Sequence, residues 1–464
     1  MSDGHGGGGG LPLLGFAAGI EHSLHSGGFH LKGRPLVIIF IVLNFLFLFF
    51  SPSQTLANWA LVAFFSPLWV PYIVGYATYT RFLEFRRADF LSKQKYVLLE
   101  LRMPRDSKKT PLAMETILAG MHIDSGESNK YKTHIQGNMR PTFSLELVSI
   151  GGRVHFYIWI REGFRRATEA FFYAQYPDME IIEAEDYSRL VNPLDHAWSV
   201  FGDEYKHGKP DPYPIKTYVE YGLDKAGAKP EEITDPLAQM IEFLGSIGPK
   251  EQLWVQMIMR FSKSEKYGGK KNADGKDYTW RDEASDVINT IRESTTRKSS
   301  YKDSATGETR EVEGFPNPSK GQSDTMAAID RNVAKQAFDV GIRAIYTAPQ
   351  EAFQGSMISF FLSMFKPFNN ESYNVIKTAA RFSASFNDYP WEDRGGHLKH
   401  HLQEQVVDYY RRRVYFQEPY IGDWMIMSTE EIATLFHVPG AHIESPSLTR
   451  IQSSTSGAPT NLPT

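Results

Sequence analysis

From Pro35 to Thr80 the chain carries no charged side chain. A spanning helix needs about 20 apolar residues. The run therefore accommodates two, Leu36 to Phe50 and Leu56 to Tyr79, joined at SPSQT. The first segment is short, so a re-entrant loop is the alternative to a full span. Pro67 and Pro71 are expected to kink the second. Lys32 and Arg34 precede the run, and Arg81, Arg86, Arg87, Lys93 and Lys95 follow it. Positive flanks stay cytoplasmic. The reading is a hairpin over 35–80 with both ends inside the cell and the bulk of the chain cytoplasmic.

Beyond the hairpin the pattern alternates between strand and helix periods. YVLLELRMP (Tyr96 to Pro104) predicts a strand, and Thr110-Pro111 opens a helix to about Met121. TFSLELVSI (Thr142 to Ile150) and RVHFYIWIR (Arg153 to Arg161) flank Gly151-Gly152, a two-residue hairpin turn. A helical stripe, Phe164, Ala167, Phe171 and Ala174, leads to a strand at Met179 to Asp186. The order β-α-β-β-α-β is that of a ferredoxin-like, split βαβ unit over 81–190.

A second pass is expected over 191–440. Its strands are YPIKTYVEY (Tyr213 to Tyr221), EQLWVQMIMRF (Glu251 to Phe261), GIRAIYTA (Gly341 to Ala348) and DWMIM (Asp423 to Met427). Asp235-Pro236 opens one helix, and further helices are expected at Met326 to Phe338 and Pro349 to Phe365. A polar insertion, 262–324, holds one helix, Trp280 to Arg292, and a loose linker. The fold class is therefore α+β with an N-terminal transmembrane hairpin and two ferredoxin-like units. An irregular α+β domain without duplication is the alternative for the second.

Composition narrows the chemistry. The 464 residues contain no cysteine, which removes disulfides, thiol catalysis and thiolate metal sites. The net charge of −4 gives no field for polyanions, so direct nucleic-acid binding is not expected. Residues 1–34 form a Gly- and His-rich leader, with His5, His22, His25 and His30, and 441–464 a Ser/Thr/Pro-rich tail.

Motifs for catalysis are sparse. GGKKNADGKD (Gly268 to Asp277) only approaches a phosphate loop, with wrong spacing and Asp277 in place of the hydroxyl. No cofactor and no catalytic residue is assigned. His397, His400, His401, Glu404 and Asp408 are close in sequence. On a helix His397, His401, Glu404 and Asp408 share a face that is chemically capable of holding zinc, although a solvated helix face is the commoner use. Arg411, Arg412 and Arg413 fan around a helix end. His155, Tyr157 and Trp159 form an aromatic strand face, expected to pack on a neighbouring domain or subunit.

Residues Ser428 to Gly440, STEEIATLFHVPG, carry an S-x-x-E capping box at Ser428 and Glu431. Ile432, Leu435 and Phe436 form one apolar stripe. A docking face and a helix that closes the body are both compatible with it, with Leu435 expected in the core and Phe436 partly exposed.

The stretches PYPIKTYVEYGLDK, DPLAQMIEFLGSIGPKEQLWVQMIMR, GIRAIYTAP, YRRRVYFQEP and STEEIATLFHVPG resemble the membrane-anchored N-terminal region of a family from candidate phyla radiation bacteria. FYAQYPDMEIIEAEDY is similar as well. In many relatives a P-loop ATPase of the type IV secretion coupling kind follows this region. In others it stands alone as a domain of unknown function. The resemblance implies a non-enzymatic scaffold in the inner membrane, a homo-oligomer that docks a separate ATPase through Ile432, Leu435 and Phe436. An envelope-biogenesis scaffold without a motor and a zinc-dependent hydrolase are the alternatives.

Overall fold

The computed structural model describes residues 44–104, 109–192, 195, 197–224, 234–302, 309–383, 393, 395–440, 448 and 450–451. The leader, the apolar residues 35–43 and nearly all of the tail lie outside the described residues. The chain divides into two compact units. One draws on Met1–Lys93, Gly126–Met139 and Ser385–Lys399, the other on Gln94–Ser125, Arg140–Ala384 and His400–Thr464.

In the first unit, helix α1 (Pro52–Phe64) and helix α2 (Ser66–Ser92) meet at Phe65. The expected single helix from Leu56 to Tyr79 is thus two. Pro67 lies in the first turn of α2, where its missing N–H leaves no bond unmade. Among the described residues no single helix is long and apolar enough to cross a membrane. Thr55–Leu68 and Val70–Ser92, bent by 56°, meet those requirements together.

The second unit is a mixed α+β body around a large, mainly antiparallel sheet. Its elements begin with β1 (Tyr96–Pro104), α3 (Leu112–Gly120), β2 (Thr142–Ile150), β3 (Arg153–Arg161), α4 (Arg165–Gln175) and β4 (Glu180–Glu183). These strands lie in the order β4-β1-β3-β2, every pair antiparallel. Gly151 and Gly152 turn the β2–β3 hairpin with φ of 58° and 82°, which L-residues resist. Next come β5 (Trp198–His207), α5 (Pro236–Gly245) and β6 (Gln252–Phe261). An insertion follows, made of α6 (Trp280–Thr295), β7 (Thr296–Lys302), β8 (Thr309–Pro316) and α7 (Lys320–Val333). Then β9 (Ala337–Pro349), α8 (Met357–Leu362) and β10 (Ile376–Thr378) complete a second set in the order β10-β5-β9-β6, again antiparallel. β6 pairs with β2 over Gln252 to Phe261's neighbour Arg260, so the two sets form one continuous sheet.

The central strands are buried on both faces. This explains why QLWVQMIMRF reads as a nearly unbroken apolar run. Leu145, Leu147, Val255 and Ile342 face one core, against Ile117, Ile241 and Leu435. Val148, Trp254, Ile258 and Ile345 face the other. That core is closed by Val406, Val407 and Tyr410 of α9 (His397–Arg412). β11 (Phe416–Gln417) and β12 (Tyr420–Ile421) make a small ribbon, and β13 (Met425–Ser428) pairs with the first residues of β9. Helix α10 (Thr429–Leu435) follows, and β14 (Arg450–Ile451) runs parallel to the end of β1.

Several expectations are corrected. Tyr213 to Tyr221 is not a strand; its backbone is held by side chains of α10. The strand is β5, whose adjacent Asp203 and Glu204 interrupt the apolar alternation. The linker expected to be loose holds the paired strands β7 and β8. The helix expected over Pro349 to Phe365 shrinks to Met357–Leu362. Tyr157 is buried within this chain, with its ring stacked on Tyr187 at 5.2 Å.

Candidate functional site

Helix α10 is short, yet all seven of its residues are buried. Ser428 Oγ accepts from Glu431 N at 3.2 Å and Glu431 Oε2 accepts from Ser428 N at 2.9 Å, the expected capping box. The outer carboxylates do more than cap. Glu431 Oε1 accepts from Ile215 N at 3.0 Å, and Glu430 accepts from Thr217 Oγ1 at 2.6 Å. Thr434 Oγ1 accepts from Tyr218 N at 3.0 Å. Side chains of α10 thus satisfy backbone groups that a sheet would otherwise satisfy. Burial pushes the Glu431 carboxyl up to about 7.

Ile432, Leu435 and Phe436 are 0%, 1% and 1% exposed. The expected partial exposure of Phe436 is wrong. Its ring packs edge-on against Phe156 at 5.3 Å. The proposed docking stripe is core, because the short helix is wrapped on every side and leaves no free face.

Beside the C-terminal end of β5 lies a cleft of about 140 Å³, lined by His207, Asp211, Lys266 and Trp424 among others. Asp211 accepts from Lys266 Nζ at 2.7 Å, Ile426 N at 3.1 Å and His207 Nδ1 at 3.1 Å. Burial raises the Asp211 carboxyl, but Lys266 and His207 outweigh it and hold it below the ordinary value. The ionised carboxylate can only accept, so the His207 Nδ1 carries the proton and Nε2 is left free of Asp211. His207 Nε2 and Trp424 Nε1 are buried without a protein partner among the described residues. The cleft can hydrogen-bond a small polar group. Among the described residues its lining offers lysine, histidine and carboxylate side chains rather than a hydroxyl or thiol. The i, i+4 spacing of His207 and Asp211 was the available signal, and it lay in a segment without a predicted element.

The histidine-rich face of α9 does not converge. His400 Nε2 lies 3.2 Å from Glu404 Oε1 and His401 Nδ1 3.8 Å from Glu404 Oε2. Asp408 is paired with Arg412 at 2.9 Å, and His397 is exposed one turn earlier. Among the described residues no three such side chains are placed to hold an ion. Arg411 to Arg413 do not all fan outward. Arg413 is buried and forms a bidentate pair with Glu146 at 2.8 and 3.1 Å. In the Gly268 to Asp277 loop, Asn272 Oδ1 accepts from Asp274 N and Lys276 N. Those amides are therefore turned to the loop's own side chain, where a phosphate cradle would need them for its ligand.

These features define a mixed α+β body whose buried ionic groups are largely bonded to one another. The chain belongs to the family described as a domain of unknown function (DUF8128), which it matches over residues 79–450. No curated protein and no solved structure matches it.

Proposed function

We propose that this protein is a non-enzymatic, membrane-anchored scaffold with its bulk on the cytoplasmic side. In this reading it is built from two split-βαβ units joined edge to edge, and it serves as a homo-oligomer in a type IV secretion or DNA-transfer-like apparatus. The repeated orders β4-β1-β3-β2 and β10-β5-β9-β6 support the two units. The observation that carries the anchor is the apolar exterior of the bent helix pair: Phe64, Leu68 and Tyr72 are 76%, 75% and 64% exposed. Water-facing proteins seldom present so much contiguous apolar surface, and the cationic flank at Arg81 to Lys93 supports the cytoplasmic orientation. A separate secretion-type ATPase is the partner, and it meets a surface other than Ile432, Leu435 and Phe436. Nucleic acid is not bound directly.

Alkaline extraction of native membranes, followed by pull-down, tests this reading. The protein should stay with the lipid and bring down a P-loop ATPase while hydrolysing no ATP itself. Release into the soluble fraction overturns the anchor. Retention without an ATPase leaves an envelope scaffold without a motor.

A further inference from the structure

The last charge-free turn of α2 does not stand alone. The segment Gly126–Met139 belongs to the same unit, and its single π turn, Tyr131–Ile135, is fastened to that helix at three points. Tyr79 Oη and His134 Nδ1 are 2.5 Å apart, with their rings stacked at 6.2 Å. Arg86 Nε donates to the Ile135 carbonyl at 2.8 Å. Gly137, at φ +72°, lies so close that an added Cβ would sit 2.4 Å from the Arg86 carbonyl carbon. Tyr79 and Arg86 are about 10 Å apart along a helix. The segment is therefore held at the level where the apolar run gives way to cations.

What the turn displays there is specific. Tyr131 is 62% exposed and Ile135 44%. Lys130 and Lys132 flank Tyr131 and are exposed. The Arg81 side chain, 83% exposed, stands two residues beyond Tyr79 and is paired, among the described residues, with the half-buried Glu84 at i, i+3. Tyrosine with lysine is the composition that settles at the bilayer interface, the ring at headgroup depth and the ammonium groups toward phosphate.

We propose that Tyr131–Ile135, with Lys130 and Arg81, forms a collar that binds anionic lipid headgroups around the base of α2. This rests on the membrane reading above. The occupant is a bilayer surface because the collar is fixed at the end of an exposed apolar helix and its charge complements anionic headgroups. Each lysine near such a surface contributes about fivefold to the preference.

The chain has no cysteine, so single cysteines can carry fluorophores in the full-length protein reconstituted into bilayers. Tyr131→Cys reports the collar, Trp59→Cys the apolar helix and Ser285→Cys an exposed site on α6, in the other unit. Nitroxide on the headgroup of an anionic lipid should quench the label at position 131 several-fold more than nitroxide on a zwitterionic lipid, and should spare position 285. Lys130→Gln/Lys132→Gln, with an unchanged melting temperature, should abolish that preference. Equal quenching by both lipids, or none at 131 while an acyl-chain nitroxide quenches 59, overturns the collar and leaves the anchor standing. No quenching at 59 overturns the anchor itself.

Discussion

Gln256 Nε2 donates to Glu146 Oε1 at 2.8 Å, across the middle pair of the β2–β6 register. The same carboxylate accepts from Ser144 Oγ at 2.6 Å, from Tyr187 Oη at 2.7 Å and from both sides of the Arg413 fork. A charge this deeply buried is tolerated only with such a set of donors.

Glu146→Ala should therefore be severe. It leaves the buried guanidinium of Arg413 with Asp186 as its one remaining carboxylate, at 2.9 Å. Breaking one side of a buried pair costs about 3–5 kcal/mol. Urea denaturation should show a loss in that range, and Glu146→Gln should lose less because it keeps an acceptor. A loss under about 1 kcal/mol for the alanine would show that the seam does not depend on this network.

Tyr415 explains two glycines. An added Cβ at Gly341 would lie 2.4 Å from its ring, and so would one at Gly422. Gly341→Ala should cost about 1–3 kcal/mol by overpacking. In a double-mutant cycle, Tyr415→Ala should make Gly341→Ala much cheaper, because the two sites share one space. Simple additivity would rule out the steric account.

How much of this was legible depends on where each strand finds its partners. β2 and β3 were readable because Gly151-Gly152 and two clean runs encode a local hairpin. β5 was not. Asp203 there accepts from the Arg381 and Phe382 amides at 3.1 and 3.2 Å, and Glu204 pairs with Arg343 at 3.1 Å. Carboxylates look like surface when their partners lie far along the chain. The capping box of α10 was local and visible. Its complete burial was not, because Phe156, Ile215 and Tyr218 come from distant segments. The cleft at His207 had a visible pair spacing, but Lys266 and Trp424 reach it only through the fold.

Helix α10 offers a direct test of core against docking face. Leu435 is 1% exposed, so Leu435→Ala should destabilise the protein by about 2–5 kcal/mol in denaturant, as buried leucines do. Ser428→Ala should cost about 0.5–2 kcal/mol through the lost cap. Unchanged unfolding midpoints in both variants would mean that the helix is not packed as described.

His437 and Glu431 should make the protein lose stability as pH rises, opposed only in the acid part of the range by His122, which burial holds below its ordinary value. His437 Nδ1 lies 2.9 Å from the Ala433 carbonyl and Nε2 lies 2.9 Å from Asp235 Oδ2. Both neighbours only accept, so the ring needs both protons. Burial pulls the imidazole down, but Asp235 and the carbonyl outweigh it and raise it above its ordinary value of 6.5. Its contribution is complete below the unfolded value and is lost as pH rises through the raised one. Glu431, raised by burial to about 7, acts in the same direction: the protonated form favours folding, and that contribution is lost from about 4.5 upward. Carboxylates held low, such as Asp211 and Glu265, are lost only as pH falls below their unfolded values. The melting temperature should therefore peak on the acid side of neutrality and decline from about pH 5.5 to 8. Asp235→Asn keeps an acceptor for the Leu237 amide, now 2.9 Å away, but removes the charge beside His437. That variant should melt lower at pH 5.5 and show a shallower decline toward pH 8. A profile that rises across this range in the native protein would mean that neither group is held protonated by the fold.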